Sequence, residues 1–127
     1  MTPAGSAGDV HPFLGLGRVL RGRGHEVIVL TSEPFHHEVT AAGLAFESVL
    51  DAARFEAVLD DPDLWHPLRG PRAIFRLLRR EDLDRVYETL ERHYRPGRTV
   101  LVGHPLSFPA RVFEEVRGVP AVTVQLA

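Results

Sequence analysis

Short apolar runs alternate along the chain with longer segments of helical periodicity. The runs predict β-strands at residues 27–30, 45–49, 99–103 and 121–124. Three of these strands are almost continuously apolar, which is typical of parallel strands covered on both faces. The run at 45–49 includes Glu47 and Ser48, so we expect it nearer an edge of the sheet.

The segments between these runs have apolar residues at helical spacing. The first helix is expected to begin at Pro12, because proline lacks the N–H group that stays unpaired at a helix start, and to end at Gly24. Gly15 and Gly17 within it indicate close packing against a strand or ligand, since glycine is unfavourable in a helix. Further helices are predicted at residues 34–42, 71–94 and 109–116, and Gly118 is expected to close the last of them. This order of elements predicts the α/β class, with a Rossmann-like, doubly wound parallel sheet and right-handed crossovers.

One element of such a fold is missing from the pattern. A doubly wound sheet begins with a buried strand that leads into a glycine-rich turn. Here the turn follows Met1 and Thr2 almost directly. Two residues are too few for that strand, so we expect the first strand to be lacking, its innermost position to be empty, and residues to have been lost from the N-terminus.

The composition narrows the classes of function. The 127 residues carry a net charge of −2 and include 44% apolar residues, 15 arginines, no lysine and no cysteine. The length predicts a single domain over residues 1–127, and no apolar run approaches the roughly 20 residues that cross a bilayer. The first residues are unlike a secretory signal, so we expect a cytoplasmic protein. The slightly acidic balance argues against a nucleic-acid partner, and the absence of cysteine excludes disulfides and thiolate metal sites.

The histidines do not indicate a metal site either. His36 and His37 are adjacent, and two adjacent residues of a helix cannot both face one ion comfortably. His25, His66 and His93 have no ligand spacing. We therefore predict no bound metal.

The glycine-rich turn at residues 5–8 is the most informative stretch. Its glycines let a ligand approach the backbone, and the helix that follows presents free N–H groups to anions. The spacing Gly5-x-x-Gly8 matches neither a Walker A loop nor the dinucleotide motif G-x-G-x-x-G. Asp9 follows directly and would repel a pyrophosphate at close range, so a dinucleotide site is disfavoured here.

Two stretches are informative together, residues 5–17, GSAGDVHPFLGLG, and residues 23–31, RGHEVIVLT. They resemble the opening of GT-B-fold glycosyltransferases, in the branch related to bacterial rhamnosyltransferases and to antibiotic and sterol glycosyltransferases. Residues 42–46 and 118–126 resemble a later turn and strand and the fifth strand of that family. The resemblance covers nearly the whole chain and implies the N-terminal, acceptor-binding half of such an enzyme. The C-terminal half, which holds the nucleotide-sugar, is then absent from these residues.

The resemblance also implies roles for individual residues. In that family a residue of the first turn accepts the proton of the acceptor hydroxyl, and many members have histidine after the second glycine. This chain has Asp9 there, with His11 and His104 as further candidates. Asp9 could instead only organise the helix start, His11 could be an N-cap, and His104 could be a solvated loop residue. The residues of the turn that would approach the acceptor and the donor phosphate are Gly5, Ser6 and Gly8.

The region between the third and fourth strands helps to wall the acceptor pocket in GT-B enzymes. The residues that this implies for the pocket are Trp65, Phe75 and Leu78. Phe75 and Leu78 could equally be ordinary core. A basic stripe could contact an anionic membrane surface peripherally, hold an anionic or lipid-like acceptor, or be a solvated helix face. The stripe comprises Arg69, Arg72, Arg76, Arg79 and Arg80.

The intact enzyme that the resemblance implies would move a sugar from a nucleotide-sugar to a hydroxyl of a small hydrophobic acceptor. The nucleotide-sugar is a co-substrate bound mainly by the absent half, and no cofactor is expected. The chain alone is expected to be inactive. One alternative is a non-catalytic subunit that tethers a split glycosyltransferase to a membrane. Another is the nucleotide-binding Rossmann domain of a dehydrogenase, for which Glu33 is the only acidic residue near the required strand end.

Overall fold

The computed structural model describes residues 1–126 as parallel β-strands with helices on both faces. Strand β1 (Ile28–Ser32) pairs with β2 (Ala45–Leu50), and β3 (Leu101–Gly103) pairs with β4 (Ala121–Thr123). The helices are α1 (Ala7–Gly22), α2 (His36–Ala41), α3 (Ala52–Leu59), α4 (Gly70–Leu77), α5 (Arg80–His93) and α6 (Phe108–Arg117). A short 3₁₀ turn, Glu33–Phe35, precedes α2. The predicted α/β class and parallel pairing are confirmed.

Met1 and Thr2 occupy the centre of the sheet and join its two strand pairs. Met1 exchanges main-chain hydrogen bonds with two residues of β1, Ile28 (2.6 Å) and Leu30 (2.9 Å). Thr2 does the same on its other side with Val102 (2.9 Å) and His104 (3.1 Å). The order across the sheet is therefore β2, β1, Met1–Thr2, β3, β4.

The expectation of an empty innermost position is wrong. Two residues occupy that position, because Met1 pairs with β1 while Thr2 forms a parallel bridge to Gly103. Between them, these two residues satisfy main-chain groups on both neighbouring strands that would otherwise be buried without partners.

Two hydrophobic cores lie on the opposite faces of the sheet. Helices α1 and α2 cover one core, which includes Val10, Leu14, Val29, Val39 and Leu44. Helices α5 and α6 cover the other, which includes Leu30, Leu90, Leu101, Phe113 and Val119. Val29 and Leu30 are neighbours in β1 and point to opposite faces, as successive residues of a strand do. Burial on both faces explains why the run at residues 27–30 is continuously apolar.

Helix α1 begins at Ala7, five residues before the predicted start at Pro12, which lies inside the helix. Ser6 is the N-cap and has an extended conformation. The prediction took Pro12 as the first helical residue. It overlooked the pattern S-x-x-D at residues 6–9, which is typical of a capping box at a helix start. The predicted end of α6 is confirmed, with Gly118 at a φ of +63°.

The prediction of a single helix at residues 71–94 is wrong. Leu78 and Arg79 are extended, with ψ of 116° and 145°, and they divide the segment into α4 and α5. The guanidinium group of Arg54, in the unpredicted helix α3, donates to the carbonyl oxygen of Leu77 at the end of α4. It also donates to the carboxylate of Asp82 in the first turn of α5, at 3.2 Å. A side chain from a separate helix thus stabilises the break.

The two interior glycines of α1 differ in their surroundings. Gly17 is buried, and a Cβ atom added there would lie 2.7 Å from Cδ1 of Leu44 and 3.4 Å from Sδ of Met1. Gly15 is exposed, and a Cβ atom there would meet nothing within 4 Å. The prediction of close packing is confirmed for Gly17 and wrong for Gly15.

We expect Gly15→Ala to stabilise the chain and Gly17→Ala to destabilise it. Alanine is favoured over glycine in a helix by about 1 kcal/mol, and nothing opposes this gain at residue 15. At residue 17 the methyl group overpacks against buried Leu44, which costs roughly 1–3 kcal/mol. Urea unfolding of both variants measures the difference, and a Gly17→Ala chain as stable as the Gly15→Ala chain would contradict the packing argument.

The stability of the 127-residue chain is expected to rise with pH between about 5 and 8. Burial lowers the pKa of the Met1 α-amino group from 8.0 to about 5. The unfolded chain therefore binds more protons in this range, and this contribution to stability is complete above pH 8 and lost as the pH falls towards 5. Its size is on the order of 4 kcal/mol, since one pKa unit corresponds to about 1.4 kcal/mol.

Urea unfolding at several pH values tests this expectation. A matched control carries a few additional residues before Met1, which convert the amine into an amide that does not titrate. Histidine titrations are common to both chains and cancel in the comparison. Equal pH dependence of the two chains would show that the amino group is not the cause.

Candidate functional site

The carboxyl ends of the parallel strands meet at one edge of the sheet, and the glycine-rich turn opens at this edge. The turn leads from Thr2 in the sheet centre into α1, beside the residues that follow β3. Ligands of open α/β sheets bind at this edge. Asp9 and His104, two of the predicted site residues, meet here.

Asp9 lies in the first turn of α1, and its side chain is one-third exposed. Its Oδ2 atom accepts hydrogen bonds from the main-chain N–H of Ser6 at 2.9 Å and from the Ser6 hydroxyl at 3.3 Å. The helix dipole also favours a carboxylate at this position. The Oδ2 atom of Asp9 thus organises the start of α1, which was the alternative interpretation of this residue. The Oδ1 atom faces a different partner.

That partner is His104, which follows β3 and directs its imidazole towards Asp9. Nδ1 of His104 accepts a hydrogen bond from the main-chain N–H of Leu106 at 3.2 Å, so the neutral ring carries its proton on Nε2. Nε2 lies 3.6 Å from Oδ1 of Asp9. The His104 side chain is only 12% exposed, so it is shielded within the site and is not a solvated loop residue.

Gly5 makes room for the Asp9 carboxylate. It has a φ of +128°, and a Cβ atom there would collide with Oδ2 of Asp9 and lie 2.7 Å from Cγ. A side chain at residue 5 would therefore push Asp9 away from Ser6. Gly8 is exposed and an added Cβ would meet only the Ser6 hydroxyl, at 3.9 Å, so its backbone is accessible to a ligand.

His11 pairs with Glu38 of α2 and not with Asp9 or His104. Its Nε2 atom lies 2.9 Å from Oε2 of Glu38, and its side chain is more than half exposed. It lies within α1, so the N-cap interpretation of His11 is wrong, and Ser6 holds that position. His11 therefore contacts Glu38 and is not part of the Asp9–His104 pair.

An aromatic pair stands at the same edge of the sheet. Phe75 of α4 is 65% exposed and stacks on Phe108, with ring centroids 5.9 Å apart and planes inclined by 28°. Phe108 begins α6 immediately after the turn that carries His104. Sequence reasoning missed Phe108, although its position four residues after His104, beyond the carboxyl end of a strand, is a usable signal.

The other predicted pocket residues have different neighbours. Trp65 is exposed in the loop between α3 and α4, and its indole N–H donates to the carbonyl oxygen of Leu59 at 2.9 Å. Leu78 is the half-buried, extended residue between α4 and α5. Of the three, Phe75 makes the aromatic contact with the start of α6.

Acidic residues neutralise part of the predicted basic stripe. Arg76 donates to carboxylates of Asp61 at 2.8 Å and Asp63 at 3.2 Å, and its hydrogen bond holds the pKa of Asp61 below its ordinary value. Arg69 pairs with Asp63 at 3.0 Å. Arginines of the stripe that form no ion pair within residues 1–126 are Arg72 and Arg79.

No helix within residues 1–126 is long and apolar enough to cross a membrane. Within the same residues, no group of three histidine, aspartate or glutamate side chains is arranged to hold a metal ion.

Comparison with known proteins identifies the family. Residues 1–126 match the glycosyltransferase family 28 N-terminal domain. The chain belongs to this family. The resemblance carried by residues 5–17 and 23–31 is thereby confirmed, and the match favours a glycosyltransferase over the dehydrogenase alternative.

Several glycosyltransferases are similar to this family 28 domain. A sterol 3-beta-glucosyltransferase of Saccharomyces cerevisiae (strain YJM789) is 40% identical over 45 residues, which are 35% of this chain and 4% of that protein. An O-mycaminosyltylonolide 6-deoxyallosyltransferase of Streptomyces fradiae is 48% identical over 44 residues, 35% of this chain and 10% of that protein. The structure of a Streptomyces sp. SF2575 glycosyltransferase complexed with thymidine diphosphate has a TM-score of 0.71 and 22% identity, over 96% of this chain and 36% of that chain.

The chain therefore spans about a third of the solved glycosyltransferase that it matches, and smaller shares of the two curated relatives. At 22% identity the structural match carries information on the fold. It confirms a Rossmann-like domain that corresponds to the N-terminal half of a GT-B glycosyltransferase.

We expect Gly5→Ala to cost more stability than Gly97→Ala. Both glycines have positive φ, +128° and +71°, so alanine is strained at either position, by roughly 1–2 kcal/mol in the left-handed conformation of Gly97. Only at residue 5 does the new Cβ collide with the Asp9 carboxylate, since an added Cβ at Gly97 meets nothing within 4 Å. Losing the Asp9–Ser6 contact adds on the order of 1 kcal/mol. Urea unfolding compares the two, and equal losses would contradict the proposed role of Gly5.

Proposed function

We propose that this domain binds the acceptor in a glycosyltransferase that moves a sugar from a nucleotide-sugar to a hydroxyl of a small hydrophobic molecule. The observation that carries the proposal is the Asp9–His104 pair, at the open edge of the sheet beside an accessible glycine turn. A carboxylate within hydrogen-bond reach of an alcohol assists its attack on an electrophilic carbon.

In the proposed reaction, Oδ1 of Asp9 accepts the proton of the acceptor hydroxyl. The hydroxyl oxygen forms a bond to the anomeric carbon of the sugar, and the bond from that carbon to the phosphate oxygen breaks. The nucleoside diphosphate leaves with the electron pair. Asp9 is suited to this role because Ser6 holds its other oxygen, so the carboxylate has a fixed direction.

His104 is proposed as the positioning residue for Asp9. The hydrogen bond from Leu106 to Nδ1 leaves the proton of the neutral ring on Nε2, which faces Oδ1 of Asp9 across 3.6 Å. This N–H is proposed to orient the carboxylate towards the acceptor. His11 is the weaker candidate for the base, because its imidazole is engaged with Glu38.

The donor and acceptor classes are supported by the similar proteins. The Streptomyces sp. SF2575 enzyme was solved with thymidine diphosphate, which supports a nucleotide-sugar donor for this domain. The sterol 3-beta-glucosyltransferase acts on a sterol, which supports a hydrophobic acceptor. Because the chain spans about a third of the solved enzyme, we propose that a donor-binding half holds most of the nucleotide. The nucleotide-sugar is then a co-substrate, and the reaction needs no separate cofactor.

Replacing Asp9 with asparagine in the complete glycosyltransferase is expected to lower kcat by about 10²–10⁴, because the general base is lost. Donor binding should be retained, since Asp9 does not contact the donor in the proposed reaction. His104→Gln should have a smaller effect, since it removes the orienting group and leaves the carboxylate. Steady-state kinetics and donor titration measure both variants.

His11→Gln is the matched control, and its turnover should stay within a few-fold of the unaltered enzyme. The 127-residue chain without a donor-binding half should transfer no sugar. Unchanged turnover in Asp9→Asn would remove Asp9 as the base, and a large loss in His11→Gln would assign the role to His11. Unchanged turnover in all three variants would favour a non-catalytic, tethering subunit.

A further inference from the structure

A cavity of about 450 Å³ lies between the ends of helices α1 and α2. This volume is within the range of sites that hold small molecules. Arg21 at the cavity follows Asp9 by about 18 Å along the axis of α1, at 1.5 Å per residue, so the cavity lies at the opposite edge of the sheet from the proposed base. The lining residues are Arg18, Arg21, Gly22, Ala41, Ala42 and Gly43. Apart from the two arginines, these residues are small enough to leave the space open.

Arg18 and Arg21 carry charges that no acidic side chain within residues 1–126 neutralises. The two residues lie one turn apart on the same face of α1, and both are exposed. Neither forms an ion pair in this range. Glu38 is an acidic residue of α2, but its carboxylate is engaged with His11 at 2.9 Å. The cavity therefore has two cationic side chains in its wall and no acidic lining residue.

The two arginines are not needed to cap the helices that they adjoin. At the end of α1, the carbonyl oxygens of residues 19–21 already accept main-chain hydrogen bonds from residues 23–25. At the end of α2, the carbonyl oxygens of residues 38–40 accept them from residues 42–44. The N–H groups of the two guanidinium groups are therefore available to a ligand.

Gly43 makes room for the guanidinium group of Arg21. It has a φ of +76°, and a Cβ atom added there would collide with Nη1 of Arg21 and lie 3.1 Å from Cζ. The guanidinium group thus lies against bare main chain at the end of α2. Buried Leu44, which packs against Gly17, holds the two helices together beside the cavity. A cavity formed by packed helices needs little rearrangement to accept a ligand, which lowers the cost of binding.

We propose that this cavity is a second binding site, which takes a small phosphorylated molecule with its phosphate group on Arg18 and Arg21. A guanidinium group is planar and donates two parallel hydrogen bonds to phosphate oxygens, and two such groups match a doubly charged anion. A phosphate group alone is far smaller than 450 Å³, so the rest of the ligand has room over the small lining residues. The site goes beyond the proposed sugar transfer and does not depend on it.

Glucose 6-phosphate and glucose are matched probes that differ by the phosphate group. Each is titrated into the ¹⁵N-labelled 127-residue chain, and the amide signals are followed by NMR. Glucose 6-phosphate is expected to shift signals of residues 18–24 and 41–44, and glucose should shift none of them. Arg18→Gln and Arg21→Gln are each expected to weaken glucose 6-phosphate binding about 5- to 10-fold, because charge-assisted hydrogen bonds are lost.

Arg72→Gln is the matched control. Arg72 is also exposed and forms no ion pair within residues 1–126, but it belongs to α4, which does not line the cavity. Its replacement should leave the affinity unchanged, and an equal loss there would show unspecific attraction of an anion to arginine. Shifts confined to residues 5–9 would place the phosphate at the start of α1 instead. Either result, or no binding of glucose 6-phosphate, would overturn the proposal.

The outcome is separate from that of the Asp9→Asn kinetics. The arginine variants leave the Asp9–His104 pair unaltered, and the titrations need no sugar transfer. Loss of the cavity site would therefore leave the proposed function standing, and loss of Asp9 as the base would leave the cavity site standing.

Discussion

The main-chain hydrogen bonds of Met1 and Thr2 are the constraint on which the rest of this family 28 domain depends. Each residue pairs with a different strand, so two residues join two strand pairs into one parallel sheet. Without them, main-chain groups of β1 and β3 would be buried without partners, and each such group costs about 1–3 kcal/mol. Thr2 also binds the main-chain N–H of His104 and leads into the glycine turn, so the same bonds set the distance between Asp9 and His104.

In the proposed site, a structural and a chemical role share one carboxylate. One oxygen of Asp9 receives the Ser6 hydrogen bonds that start α1, and the other faces the imidazole of His104. A side chain fixed in this way loses little freedom when a substrate arrives, which is a general requirement of catalytic groups. Gly5 is the residue that permits it, because any side chain there would occupy the space of the carboxylate.

Much of the fold is visible in the sequence because it depends on neighbouring residues. Continuous apolar runs predicted the buried parallel strands, and Gly118 predicted the end of α6. The start of α1 was also encoded locally, in Ser6 and Asp9, but the proline at residue 12 was given more weight. Gly15 and Gly17 look alike in the sequence, yet Gly15 is exposed and Gly17 is buried. Burial at a helix position depends on which residues pack against it, and the local sequence does not show this.

The sequence by itself determined the class of fold, the glycine turn and the presence of a carboxylate at its end, because these follow from periodicity and short motifs. Only the tertiary structure decided which distant groups meet. It turned His104 towards Asp9 and His11 towards Glu38, and it stacked Phe75 on Phe108. It also divided the long helical pattern where Arg54 binds Leu77. The physical reason is that these contacts join residues separated by many positions, and their geometry is set by strand pairing and helix packing, which local patterns do not encode.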